Sequence, residues 1–208
     1  MIWTDFVKSI YAGIAIGIGT VVYMLNPGIL GAVLFTIGLF IVVNNRFNLF
    51  TGKVGYETKW KNWSKYIYMI LGNLLGIVCF VSLIYFTGAV KIPVLSATAV
   101  KIISTRLSTS YMGILMGSIG CGMLMSHAVD RPNRSQDDFK NPLSYLPMFY
   151  CVPVFIICGF PHCIADIAYH LVYGLSVGFQ KTQFFIWFWS IIGNFIGCQI
   201  MGQLKNKG

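Results

Sequence analysis

Long apolar runs recur along the chain, separated by short polar stretches. Six segments, at about 6–25, 28–45, 66–88, 108–127, 144–176 and 183–202, are apolar for long enough to cross a hydrocarbon core of ~30 Å, which takes ~20 residues of helix each. The fifth run is interrupted: Gly159-Phe160-Pro161-His162-Cys163-Ile164-Ala165-Asp166 sets a helix breaker, an imidazole and a carboxylate inside it. Gly and Pro free backbone groups that hydrocarbon cannot satisfy, so irregular chain at membrane depth is tolerated only where it is buried in protein or lines a cavity. An ionisable group at such depth marks a functional site, and the working site is expected here. The second run gives way in a related manner at Asn44-Asn45-Arg46-Phe47-Asn48-Leu49-Phe50-Thr51-Gly52-Lys53. Taken alone that stretch also reads as a surface loop; beside the break in the fifth run it reads as a second interruption.

Two internal matches organise the runs. Tyr11-Ala12-Gly13-Ile14-Ala15-Ile16-Gly17 recurs as Tyr111-Met112-Gly113-Ile114-Leu115-Met116-Gly117, an offset of 100, and Leu71-Gly72-Asn73-Leu74-Leu75-Gly76 returns as Ile192-Gly193-Asn194-Phe195-Ile196-Gly197. These pair the first span with the fourth and the third with the sixth. The chain then divides into related halves of about 1–90 and 100–208 within a single transmembrane domain over 1–208. Three spans per half force the second half to insert upside down, the plan of many transport proteins, whose sites lie near the midplane at interrupted helices. The expected fold is an all-α membrane protein of six helices in two inverted repeats, with helices two and five interrupted. The glycines in these matches stand four residues apart and suit close helix packing and subunit contacts, so a homo-oligomer is expected.

Composition narrows the class. Of 208 residues, 56% are hydrophobic and 10% charged, and the mean hydropathy of +0.72 lies outside the range of a soluble domain. The first run carries no small-residue cleavage site and reaches spanning length, so it reads as a span and not as a cleaved signal. The net charge of +9 is scattered over short loops instead of forming a nucleic-acid-binding stripe. With both termini placed in the cytoplasm, Lys8, Lys59, Lys61, Lys65, Arg131, Arg134, Lys140, Lys205 and Lys207 fall inside, against Lys91, Lys101, Arg106 and Lys181 outside. That is the orientation the positive-inside rule favours, and it predicts a multi-pass protein of the cell membrane. The cysteines lie singly in apolar runs and read as small buried hydrophobes, with no disulfide, metal or cofactor implied.

At the two interruptions the sequence resembles the formate/nitrite transporter family of small-anion channels. The family's fifth-span pattern, Gly-Phe-Glu-His-Ser-(Ile/Val)-Ala-Asn-Met, is similar to Gly159 through Ile167, and its loop pattern Glu-Leu-x-Thr to Asn48-Leu49-Phe50-Thr51. Gly113-Ile114-Leu115 resembles the fourth span, and Lys101, twelve residues before Gly113, matches a vestibule lysine. The resemblance runs from Tyr11 to Gly197. It implies an aquaporin-like fold, a pentamer and one pore per subunit. It further implies a central pair matched by His162 and Thr51, between constrictions matched by Phe35, Leu39, Leu49, Phe50 and Phe155. The sequence departs from the family at Asn48, Pro161 and Asp166, where the family has glutamate, glutamate and asparagine, and at Gly117, where it has a fourth-span asparagine.

A small anion crossing Phe- and Leu-lined constrictions needs its charge compensated or removed. Lys101 at the entrance, the N-termini of half-helices at the breaks and a proton from His162 are the devices on offer. Together they suggest proton-assisted passage of a weak acid, with Thr51 as hydrogen-bond partner. His127, beside Asp130 at a span end, and His170, eight residues after His162, suit packing or interface contacts better. Asp166 would repel anions if ionised and alone; it is protonated, packed against a partner or paired with a basic group. Two other functions compete. A neutral-solute pore of aquaporin type lacks an Asn-Pro-Ala pair, and an intramembrane metal enzyme built on His127, His162, His170 and Asp166 lacks any HExxH-like spacing.

Overall fold

The computed structural model describes residues 2–55, 63–130, 132 and 136–205. Among these, all regular structure is helical: α1 (Ile2–Leu25), α2 (Ile29–Asn44), α3 (Phe50–Lys53), α4 (Trp63–Phe86), α5 (Pro93–Ser108), α6 (Tyr111–Ala128), α7 (Gln136–Lys140), α8 (Leu146–Ile157), α9 (Ala165–Val177) and α10 (Lys181–Lys205). Helices α1, α4 and α10 are long and apolar enough to cross a membrane, and α2 and the stretch Pro142–Ile157 are apolar but shorter. Large apolar side chains such as Leu71, Leu75, Phe184 and Phe188 face outward. A soluble protein rarely carries so much exposed apolar surface.

Helix α1 packs between α2 and α4, and α6 between α8 and α10, while α2 meets α8 across the middle. The stretch before the fourth span, outside the six apolar runs of the sequence, is the helix α5. It opens on Pro93 at its first position, where the missing N–H costs nothing, and packs on α9 and α1.

Both interruptions are built by the same device. Helix α8 ends with Gly159 at a φ of 67°. The Gly159 N–H donates to the Ile156 carbonyl (3.0 Å) and the Phe160 N–H to that of Phe155 (2.9 Å), the paired bonds of a Schellman cap, which needs a left-handed residue at its turn. Helix α2 ends with Arg46 at a φ of 54°; the Arg46 N–H donates to Val43 (3.0 Å) and the Phe47 N–H to Val42 (2.8 Å).

Each break is then held by one asparagine. Asn73 Oδ1 accepts from the Phe50 N–H (3.0 Å), and its amide donates to the carbonyls of Ser9 (2.7 Å) and Asn48 (2.9 Å). Asn194 Oδ1 accepts from the Cys163 N–H (2.8 Å), and its amide donates to the carbonyls of Ser118 (2.7 Å) and Pro161 (3.0 Å).

These contacts correct the register expected from the sequence. Gly13 lies against the Asn73 backbone, and its counterpart against the Asn194 backbone is Gly122, not Gly113; Gly72 meets Ser9 as Gly193 meets Ser118. The correspondence between α1 and α6 therefore runs at 122 − 13 = 109, and the tyrosine match at 100 is a coincidence of small residues at helical spacing. Arg106, counted above with the outer loops, is buried. Lys59, Lys61, Arg131, Arg134 and Lys207, on which the orientation partly rests, lie outside the described residues.

Candidate functional site

The two breaks meet at His162 and Thr51. His162 sits in the second break, Thr51 in α3 just past the first, and His162 Nε2 lies 3.0 Å from Thr51 Oγ1. Both side chains are buried. The other ring nitrogen is already assigned, because the Ala165 N–H donates to His162 Nδ1 at 3.0 Å. A neutral imidazole has one donor and one acceptor nitrogen, so its proton is on Nε2 and points at Thr51. The Thr51 carbonyl accepts from Cys198 Sγ (3.0 Å), which joins α3 to α10. The half-helix N-termini are less available than their sequence suggests: the amides of Phe50, Cys163 and Ala165 are bonded to Asn73, Asn194 and His162.

Apolar side chains enclose the pair. Phe155 stacks on the imidazole, with ring centroids 5.5 Å apart and planes at 26°, and Phe35 meets Phe155 edge-on at 6.0 Å. Leu39, Leu49 and Phe50 are buried as well. A cavity of about 440 Å³ is lined by Phe155, Lys101, Arg106, Asp166, Tyr23 and Tyr169, among others. A much smaller one is lined by Leu49, Arg46 and Lys53. Phe155, on the imidazole, faces the first cavity, and Leu49, two residues before Thr51, faces the second. Of the expected constriction residues, Phe155 thus lies on His162 and Phe35 on Phe155, Leu49 and Phe50 immediately precede Thr51 in the chain, and Leu39 is buried, while Lys101 lies exposed at the larger cavity.

Sequence reasoning missed Arg106. Its guanidinium pairs with the Asp166 carboxylate and lies 5.8 Å from the Tyr169 ring centroid. Of the three states left open for Asp166, the pairing with a basic group is the one found. Its Oδ1 also faces the His162 N–H at 3.4 Å. A carboxylate in an apolar helix requires a counter-charge. Arg106, five residues past Lys101 on α5, could have been found by asking which base supplies it.

Pro161 and Gly117, two of the departures from the family pattern, are neighbours. A Cβ on Gly117 would stand 3.1 Å from Pro161 Cδ, so the proline ring occupies room that the glycine leaves. His127 bonds the Tyr150 hydroxyl (3.1 Å), and His170 Nδ1 and carbonyl meet the Gln183 amide (3.1 and 3.2 Å); neither reaches His162. Among the described residues, no group of three or more His, Cys, Asp or Glu side chains is placed to hold a metal ion.

Comparison with known proteins agrees with this architecture. A family model described as formate/nitrite transporter matches residues 1–205. The formate channel FocB of Escherichia coli (strain K12) is 26% identical over 188 residues, covering 78% of this chain. The match spans 64% of FocB, less than two thirds of its length. Among solved structures, a pentameric formate channel with formate bound has a TM-score of 0.84 at 19% identity, covering 99% of this chain and 96% of its own. An FNT family ion channel matches at 0.84 and 19%, covering 99% and 89%. At such identity the likeness establishes the fold.

Proposed function

The chain belongs to the formate/nitrite transporter family, and from that premise we propose that it passes a small monovalent weak-acid anion of the formate, nitrite or hydrosulfide class, with proton assistance at His162. The observation that carries this reading is the buried Nε2–H···Oγ1 contact between His162 and Thr51, beside Phe155, which lines the larger cavity, and close in sequence to Leu49, which lines the smaller.

Lys101 draws the anion into the larger cavity. Between Phe155 and Phe35 the anion leaves water, which costs several kcal/mol unless hydrogen bonds replace its hydration. The central pair supplies them. The Nε2–H turns from Thr51 to the anion, and the Thr51 hydroxyl donates a second hydrogen bond to it. Because Nδ1 is held by the Ala165 N–H, Nε2 is the ring atom through which proton assistance passes. A hydronium ion entering the cavity gives its proton to the anion held by these two hydrogen bonds and is left as water, and the neutral acid crosses the second wall at Leu49.

The membrane arrangement proposed with this function counts α1, α2 with α3, α4, α6, α8 with α9, and α10 as six spans in two inverted halves of one domain, aquaporin-like. The matching caps and asparagine clamps at the two breaks support it. Placement in the cell membrane with both termini in the cytoplasm follows from the distribution of basic residues. A homopentamer is proposed because one structural neighbour is a pentamer and the outer helix faces are apolar.

Flux of formate, nitrite and hydrosulfide into liposomes, measured at several pH values for the parent and His162→Asn, tests the reading. Flux should rise with acidity and collapse in the variant. Unchanged flux in the variant would return His162 to a packing role, and no flux of any small anion would reject the function.

A further inference from the structure

A carboxylate facing an anion path repels the anion unless its charge is compensated, and Asp166 stands in the first turn of α9, four residues past His162, and lines the larger cavity. We propose that the buried Arg106–Asp166 pair is a selectivity element, in which Arg106 cancels the charge of Asp166 and so keeps the path open to anions. This rests on the anion-channel reading above.

Three observations carry it. Both side chains are nine-tenths or more buried, at 8% and 1% exposure, so water screens neither. They pair directly and both line the cavity through which an anion would approach, so whatever net charge they carry acts on that approach. The pair also bridges elements: Arg106 belongs to α5, while Asp166 Oδ1 faces the backbone N–H of His162. The guanidinium is flanked by Tyr169, and Tyr23 lines the same cavity. A planar fork held against a ring suits a fixed carboxylate partner better than a lysine ammonium would.

The size of the effect follows from Coulomb's law. An unpaired carboxylate ~8 Å from a passing anion, at an effective dielectric constant of ~20, lowers the anion's occupancy about 30-fold. Arg106 removes that penalty, and its loss would restore it. Lys101, exposed at the same cavity, is too well solvated to replace the guanidinium.

The experiment compares the parent, Arg106→Gln, Asp166→Asn and the double variant in liposomes, using formate flux together with the anion-to-cation permeability ratio in planar bilayers. Arg106→Gln should lose flux at least 10-fold and shift selectivity toward cations. The double variant should recover most of that flux, because a Gln–Asn pair is neutral and can still accept the His162 N–H. Asp166→Asn alone should raise flux at low formate concentration. If removing one partner of the buried pair unfolds either single variant, the neutral double variant still decides. Full flux in Arg106→Gln, a double variant without flux, or an Asp166→Asn variant with reduced flux would each overturn the proposal. A parent without flux of any small anion would instead reject the function on which it rests.

Discussion

Asn73 and Asn194 make the same three hydrogen bonds, one accepted and two donated, at the two breaks of the chain. Each ties its break to the helix that packs beside it, Asn73 through the Ser9 carbonyl of α1 and Asn194 through the Ser118 carbonyl of α6. Replacing either by Ala would orphan one buried N–H and one break carbonyl, that of Asn48 or Pro161, at ~1–3 kcal/mol per group, and would strip a second bond from a carbonyl already paired within its helix. A net loss of at least about 3 kcal/mol is expected, roughly 10 °C in the unfolding midpoint for a chain of this size. Thermal unfolding of Asn73→Ala and Asn194→Ala in detergent checks this. Asp at either position should not rescue, because its oxygens would face the two carbonyls without a donor.

The helix register makes a prediction that the sequence match would have reversed. A Cβ on Gly13 or Gly122 would overlap the backbone of Asn73 or Asn194, which cannot move without disturbing a break. On Gly113 it would meet only the Thr109 methyl at 2.8 Å and the Ser110 hydroxyl at 3.3 Å, both at an exposed helix end. Gly122→Ala should cost 1–3 kcal/mol or more, the usual range for overpacking, and Gly113→Ala well under ~1 kcal/mol. Equal tolerance in an unfolding assay would defeat the register assigned here.

Which parts of this arrangement could be read beforehand follows from how each residue earns its place. The two breaks were legible because Gly159, Pro161 and the Asn44–Asn48 stretch contradict their apolar surroundings, and a contradiction stands out in a single sequence. The pairing of His162 with Thr51 needed the family resemblance as well, since nothing in the spacing brings residues 111 apart together. Asn73 and Asn194 stand inside the repeated Gly-Asn motif, but only its glycines carry a readable signal, because packing has a periodicity and a hydrogen-bond clamp has none. Arg106 was hidden by its setting. In a Ser/Thr-rich stretch beside Lys101 it looks like any flanking base, and only the fold of α5 against α9 shows that it meets Asp166. The false match at an offset of 100 has the same origin as the true one: small residues four apart recur wherever helices pack closely.

The two Schellman caps differ in a way that isolates backbone strain. Gly159 takes a left-handed conformation with nothing within 4 Å of a built Cβ, so Gly159→Ala should cost only the conformational penalty, about 1 kcal/mol. Arg46 already carries that penalty at a φ of 54°, and its guanidinium lies 4.6 Å from the Phe139 ring centroid, a contact worth ~0.5–1 kcal/mol at an exposed site. Arg46→Gly relieves the backbone penalty while losing the guanidinium's contacts, so it should destabilise less than Arg46→Ala, which loses the same contacts and keeps the penalty. Chemical unfolding of these variants measures the contrast.

Thr51 separates chemistry from shape at the central pair. Val has the outline of Thr without the hydroxyl, whereas Ser keeps the hydroxyl and drops the methyl. If Thr51 only filled space, Val would be the better substitute. The hydrogen bond from His162 Nε2–H dictates the opposite order, because Thr51→Val leaves a buried donor unpaired at ~1–3 kcal/mol and removes the hydroxyl that an anion would meet. Flux should fall on the order of 10- to 100-fold in Thr51→Val and stay within a few-fold of the parent in Thr51→Ser. Nitrogen NMR of labelled histidine provides the independent reading. The His162 signal should show the proton on Nε2 and a bare Nδ1 in the parent and in Thr51→Ser, because the Ala165 N–H occupies Nδ1 in both. A Val variant that conducts as well as the parent, or a proton found on Nδ1, would remove Thr51 and Nε2 from the path.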